Sequence, residues 1–192
     1  MQRTKIIFRE VAENLVLCME KLDEMQVEKV IDKILKAKKI FVLGAGHSGL
    51  IGKILAMKLS QLGFSSYVIG EVVTPSLGEA DLLVSISQSG ETLTVVTLTR
   101  KAKNLGVEVV AITSSANSSL SELADTTLFV PDKSESVHFS VLSLLGDKKH
   151  KNMSGALFGM NIFVLFYGIV CELVARTSKS PEEIDLRHAN IE

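Results

Sequence analysis

Apolar residues at Ile7, Val11, Leu15, Cys18, Leu22 and Met25 recur at helical spacing, with Asn14 on the same stripe. Val27, Val30, Ile31, Ile34 and Leu35 continue the period, so about 37 residues of helix precede the first strand. The pattern then changes to short apolar runs separated by helical stretches. Ile40–Leu43, Ser66–Ile69, Asp81–Ser87, Val107–Thr113 and Thr127–Val130 are the predicted strands. Leu50–Leu62, Thr92–Leu105 and Ser119–Ala124 are the predicted helices, the first two ending at Gly63 and Gly106 as C-terminal caps would. Continuous apolar strand cores need both faces covered, and strand–helix alternation with short links gives parallel strands. The expectation is a three-layer, doubly wound α/β fold. Its sheet has five parallel strands in the flavodoxin-like order 2-1-3-4-5, with extra helices at both ends.

A single domain accommodates the whole chain, 1–192, with leading helices over 1–37, a sheet core over 38–131 and closing helices over 153–192. Met153–Cys171 is 19 residues without a charge, near the length that spans a bilayer, and it carries Gly155-x-x-x-Gly159. Asn161 sits inside this stretch and three glycines dilute it, so it reads as a helix buried between subunits. Pro131–Asn152 is a long irregular segment containing Lys148-Lys149-His150-Lys151. It is either a solvated loop or one bordering the active site.

Composition narrows the partners. Lys+Arg 21 against Asp+Glu 22 leaves a net charge of −1, which gives no reason to expect nucleic acid or a membrane. A hydrophobic fraction of 46% excludes disorder. Two cysteines, Cys18 and Cys171, make neither a disulfide framework nor a zinc site, and they suit a reducing cytoplasm. His138 and His150 lack ligand spacing, so no metal is expected. A mean hydropathy of +0.30 is high for a monomer and points to a homo-oligomer.

Two loops carry candidate chemistry. Gly44-Ala45-Gly46-His47-Ser48-Gly49 joins the first strand to a helix. Its glycines let backbone approach a ligand, the helix start offers N–H groups and partial positive charge, and Ser48 adds a hydroxyl. Ser85-Ile86-Ser87-Gln88-Ser89-Gly90-Glu91-Thr92 joins the third strand to its helix, with four hydroxyls in eight residues. Ser89 or Thr92 could cap that helix, but capping uses one hydroxyl and not the set. Ser87, Ser89 and Thr92 with backbone N–H groups could wrap a phosphate. In the expected strand order both loops open at the switch point between strands one and three. Gly44, Gly46 and Gly49 also fit a dinucleotide fingerprint, with Glu71 beyond the second strand as the ribose acid. A dinucleotide enzyme has no need of the second loop. Glu91 belongs at a helix start, where its charge is favourable.

These two loops resemble the signature loops of the sugar isomerase domain (SIS) family. Gly70-Glu71-Val72-Val73-Thr74-Pro75-Ser76, Lys101–Gly106 and Arg187-His188-Ala189-Asn190 are similar to its 6-phospho-3-hexuloisomerase branch. The resemblance implies a phosphosugar isomerase that interconverts a 3-hexulose 6-phosphate and fructose 6-phosphate through an enediol, without cofactor or metal. It implies a homotetramer, or at least a dimer, whose active sites are completed by a neighbour. Gly46, Ser48, Ser87, Gln88, Ser89, Gly90 and Thr92 would bind the substrate phosphate, and His188 would reach a partner's site. Two positions depart from the family pattern. His47 stands where an arginine is usual, and Gly159 falls where the branch has a glutamate. Carbonyl migration needs a side chain able to take and return a proton near neutral pH. His188, His47 and Glu71 are the catalytic candidates. A phosphosugar-binding or sensing module without turnover is the alternative reading.

Overall fold

The computed structural model describes residues 2–132 and 154–188. Two helices lead, α1 (Gln2–Lys21) and α2 (Glu24–Lys36). The chain then runs β1 (Ile40–Gly44), α3 (Gly46–Gln61), β2 (Ser66–Val68), β3 (Leu82–Ile86), α4 (Leu93–Asn104), β4 (Glu108–Thr113), α5 (Ser119–Leu123) and β5 (Thr126–Phe129). The helices α6 (Ser154–Thr177) and α7 (Pro181–Asp185) close it. The five strands pair in parallel, as the strand–helix alternation predicts, and in the order β2-β1-β3-β4-β5 expected of a flavodoxin-like sheet.

The leading helical stretch is two helices. Asp23 interrupts it with extended backbone, and its carboxylate accepts from the N–H groups of Met25 and Gln26. The helix predicted from Leu50 begins instead at Gly46, inside the glycine loop, so the loop is itself the first turn of α3.

The strands alternate between two cores. Ile40, Val42, Leu82, Val84, Ile86, Val110 and Ile112 pack with α2, α3 and α6. Phe41, Leu43, Leu83, Val109 and Ala111 pack on the other face, with Val95 and Ala102 of α4 and Leu120 of α5. Each fully buried Val, Leu, Ile or Phe among them contributes about 1.5–3 kcal/mol. Both faces of the central strands β1 and β3 are covered, which is why their runs read as continuous in sequence.

Among the described residues, α6 is the one helix long and apolar enough to cross a membrane by length and composition. Leu157, Phe158, Asn161, Ile162, Phe166, Ile169 and Leu173 form its buried face. Met160, Phe163, Val164 and Tyr167 remain exposed on it. Asn161 is held on the buried face. It receives a hydrogen bond from Asn14 of α1 at 2.6 Å and donates to the Pro131 carbonyl at 2.8 Å. No buried side-chain nitrogen or oxygen lacks a partner among the described residues. The segment predicted as irregular, with its lysine run, His138 and His150, lies mostly outside the described residues.

Candidate active site

β1 and β3 are neighbours, and Gly44 pairs with Ile86 at their carboxyl ends. The loops that follow these two residues therefore open side by side. The chain leaves β1 for α3 on one face and β3 for α4 on the other. This is the crevice that a doubly wound sheet offers to ligands.

Three glycines shape the first loop by different means. A Cβ on Gly44 would lie 2.9 Å from the backbone nitrogen of Gly49, and a Cβ on Gly49 would lie 2.7 Å from the Gly44 oxygen. The strand end and helix start touch backbone to backbone, and no side chain fits between them. Gly46 has φ of +55°, a left-handed conformation that glycine adopts without strain. Ala45 precedes the helix and provides no capping side chain. The first N–H groups of α3 are those that a helix leaves unpaired within itself.

The second loop is stabilised from below. Gly90 has φ of +67°, and a Cβ there would overlap the buried Ser118 side chain and stand 3.3 Å from Thr113 Oγ1. The Gln88 carbonyl accepts from the Ser114 N–H at 3.0 Å and from Thr113 Oγ1 at 2.9 Å. Its side-chain amide donates to Asp132 at 2.9 Å. Gln88, expected to bind phosphate, thus has its side chain engaged with the end of β5. Ser89 Oγ accepts from the Glu91 N–H at 3.2 Å. Ser87 Oγ and Thr92 Oγ1 are 2.9 Å apart.

Thr92 occupies the residue before α4 but makes no capping bond with its side chain. The two helices that start at the crevice, α3 and α4, thus both begin without a side-chain cap. By contrast α2, α5 and α7 are capped by Asp23, Ser118 and Ser180. A capping hydroxyl or carboxylate satisfies N–H groups that a ligand would otherwise take. At the crevice no side-chain cap occupies those groups, and free N–H groups at a helix start suit an anion.

Glu91 does stand at a helix start, but the helix is α5 rather than α4. Its carboxylate accepts from the Ser119 N–H and from Ser119 Oγ, both at 2.7 Å. These two bonds hold its carboxyl below the usual carboxylate range.

The three catalytic candidates are not brought together within one chain. His47 lies in the first turn of α3, beside Ser48. Its ring rests against Gly159 of α6, where an added Cβ would overlap Cε1 and Nδ1. Glu71 follows the edge strand β2, and its carboxylate pairs with Lys53 of α3 at 2.6 Å. His188 contacts Gln61 at 3.3 Å, at the carboxyl end of α3. The 16-residue helix α3 puts 15 steps between that end and the crevice, about 22 Å at 1.5 Å per step.

Sequence reasoning passed over the residues that support the serine loop: Thr113, Ser114, Ser118 and Asp132. A usable signal was present. Thr113 ends β4, the strand next to β3, and Ser114-Ser115 follow it, so these hydroxyls had to emerge beside Ser87.

A five-stranded 2-1-3-4-5 sheet with two uncapped helix starts and a hydroxyl-rich loop at its switch point is the architecture that the resemblance to the SIS family implies. The SIS domain family profile matches residues 33–145, and the chain belongs to that family. Among relatives, 3-hexulose-6-phosphate isomerase of Methanocaldococcus jannaschii is 36% identical over 188 residues, 95% of this chain and 96% of that protein. The Mycobacterium gastri enzyme of the same name is 32% identical over 195 residues, 98% of this chain and 94% of that one. A Methanococcus jannaschii crystal structure, for which a function of 3-hexulose-6-phosphate isomerase was inferred, superposes with a TM-score of 0.81. It is 33% identical and covers 96% of this chain and 98% of that one.

Proposed function

We propose that this chain is a phosphosugar isomerase that interconverts 3-hexulose 6-phosphate and fructose 6-phosphate. The observation that carries this reading is the pair of uncapped helix starts, α3 and α4, meeting over Ser48, Ser87, Ser89 and Thr92. That set suits a phosphate dianion. The Gly46 N–H and the Ser and Thr hydroxyls donate to it, while Gln88 and the Gly90 N–H, which was expected to bind phosphate but donates to the Ser87 carbonyl at 3.2 Å, hold the loop in place. Relatives named for this reaction align over nearly their whole length.

The chemistry is internal to the substrate. The C2–H proton of the 3-hexulose leaves to a base, and its electron pair forms the C2=C3 bond. The C3 carbonyl oxygen takes a proton from water, giving an enediol. The C2 hydroxyl then loses its proton, the carbonyl forms at C2, and C3 takes a proton back from the conjugate acid. No electrons enter or leave, so the reaction calls for no redox partner. His188, His47 and Glu71 are the proton-transfer candidates.

The same reading gives a homo-oligomer, a dimer or tetramer, with shared sites. Phe163, Val164 and Tyr167 of α6 and Phe8, Val16 and Met19 of α1 are exposed apolar residues suited to a second copy. His188 lies far from its own crevice, so a neighbour's His188 would complete each site. Two free cysteines are in keeping with a cytoplasmic setting.

The test is proton exchange. Fructose 6-phosphate is incubated with the protein in heavy water, beside a Ser87→Ala control. Loss of the C3 proton signal, absent in the control, is the expected result. Loss at C1 alone would report a contaminating aldose isomerase. Binding without exchange would establish a phosphosugar-binding module instead.

A further inference from the structure

The geometry points to His47 as the catalytic residue that carries the proton between C2 and C3, with Gly159 as the positioning residue for its ring; this rests on the isomerase reading of the same crevice. Gly159 is buried on α6, and a Cβ there would overlap the His47 imidazole and lie 3.0 Å from Ile51 Cδ1. The absence of a side chain at 159 is what lets the ring lie against the helix. Position 159 and the ring compete for one space, and the ring occupies it.

Place and chemistry favour His47 over the other two candidates. It is the one candidate in the loop that carries Ser48, at the mouth of the crevice. Glu71 is engaged by Lys53 at the sheet edge. His188 stands at the far end of α3. An imidazole can both accept and return a proton near neutral pH, as one base acting on neighbouring carbons must. A ring backed by helix backbone also has fewer rotamers to search, which helps hold a reacting group in line.

The decisive experiment compares C3 exchange and turnover in wild type, His47→Ala, Gly159→Ala and the double variant, with thermal protection by fructose 6-phosphate recorded for each. His47→Ala should lose about a hundredfold or more in kcat while keeping ligand protection, and added imidazole should restore part of the rate. Gly159→Ala should lower kcat more than it raises KM and should shift the pH profile, because the ring must move. In the double variant the overlap with the ring is gone and only the 3.0 Å approach to Ile51 Cδ1 remains, so most of any loss of melting temperature in Gly159→Ala should reverse. His47→Ala within threefold of wild type would overturn the inference and leave the isomerase reading standing. A loss that imidazole leaves unrestored, with Gly159→Ala unchanged in kcat and pH profile, would also overturn it. A wild type that shows no exchange with any 3-hexulose or 2-hexulose phosphate would remove both.

Discussion

The side-chain amide of Gln88 donates to the carboxylate of Asp132, fixing the serine loop to the end of β5. With its carbonyl held by Thr113 and Ser114, Gln88 is fastened at both ends. Asp132→Ala removes one of these ties and touches no expected ligand contact. A hydrogen bond to a charged group is worth about 1.5–3 kcal/mol. Affinity for fructose 6-phosphate, measured by calorimetry, should fall roughly tenfold to a hundredfold. Unchanged affinity would show that the loop holds its shape without Asp132.

Gly90 and Gly46 are both left-handed, yet they should respond differently to alanine. A Cβ on Gly46 meets nothing within 4 Å, so only backbone strain is added, about 1–2 kcal/mol. A Cβ on Gly90 also drives into buried Ser118. Gly90→Ala should therefore cost clearly more than Gly46→Ala by chemical denaturation and should abolish protection by sugar phosphates. Equal costs would mean that Ser118 yields freely.

The two cysteines should separate cleanly by reactivity. Burial, and then the nearby Asp132 charge, push the Cys18 thiol up to about 11. Cys171 is exposed. At pH 8 a thiol reagent followed by mass spectrometry should modify Cys171 rapidly and Cys18 slowly. Asp132→Asn should speed Cys18 only modestly, since burial is the larger cause. Comparable rates at both sites would contradict this placement.

Acid should unfold the chain partly through Glu91 and Asp125. Ser119 holds Glu91 below its usual range. Burial pushes Asp125 up, but the hydrogen bonds from Lys103 and the Val109 N–H outweigh it and leave it lowered. A carboxyl lowered in the folded state stabilises it above the unfolded value, about 4, and that contribution is lost as pH falls through the folded value. Melting temperature should therefore drop below about pH 4. Glu91→Gln and Asp125→Asn should each lower it at pH 7 and flatten the acid limb. An acid limb as steep as wild type in both variants would place the titrating groups elsewhere.

Shared sites can be tested by mixing. If His188 serves a neighbour's crevice, His188→Ala and Ser87→Ala proteins should each be inactive alone. Unfolded and refolded together, they should regain a fraction of the activity, because some sites would join an intact cradle to an intact histidine. No recovery in demonstrably mixed oligomers would confine each site to one chain.

The fold was legible because its signals are local. Ile40–Leu43 and Val107–Thr113 announce strands buried on both faces, and the loops after β1 and β3 announce the crevice. Capping was harder to read: Thr92 stands where a cap belongs, yet its hydroxyl turns to Ser87. The long-range contacts within and beside the site were not legible at all. His47 against Gly159, Asn14 against Asn161 and Gln88 against Asp132 each join residues far apart in sequence, and periodicity carries no information about which helix meets which loop. Asp23, which divides the leading helical stretch, was readable as a cap but lay within an unbroken apolar period.

The buried Asn14–Asn161–Pro131 thread also has a bearing on where a glycine sits. A helix as evenly apolar as α6 has several dockings of similar packing energy against its neighbours. Turning it by one residue, about 100°, would still bury leucine and phenylalanine. It would also strand two amides and a carbonyl, at about 1–3 kcal/mol each. Asn161 is thus a rotational lock, and Gly159 lies just two positions away on the same helix. Through that lock, the docking of the N-terminal helix selects which residue of α6 the His47 ring encounters: a glycine, and not the phenylalanine or methionine on either side of it.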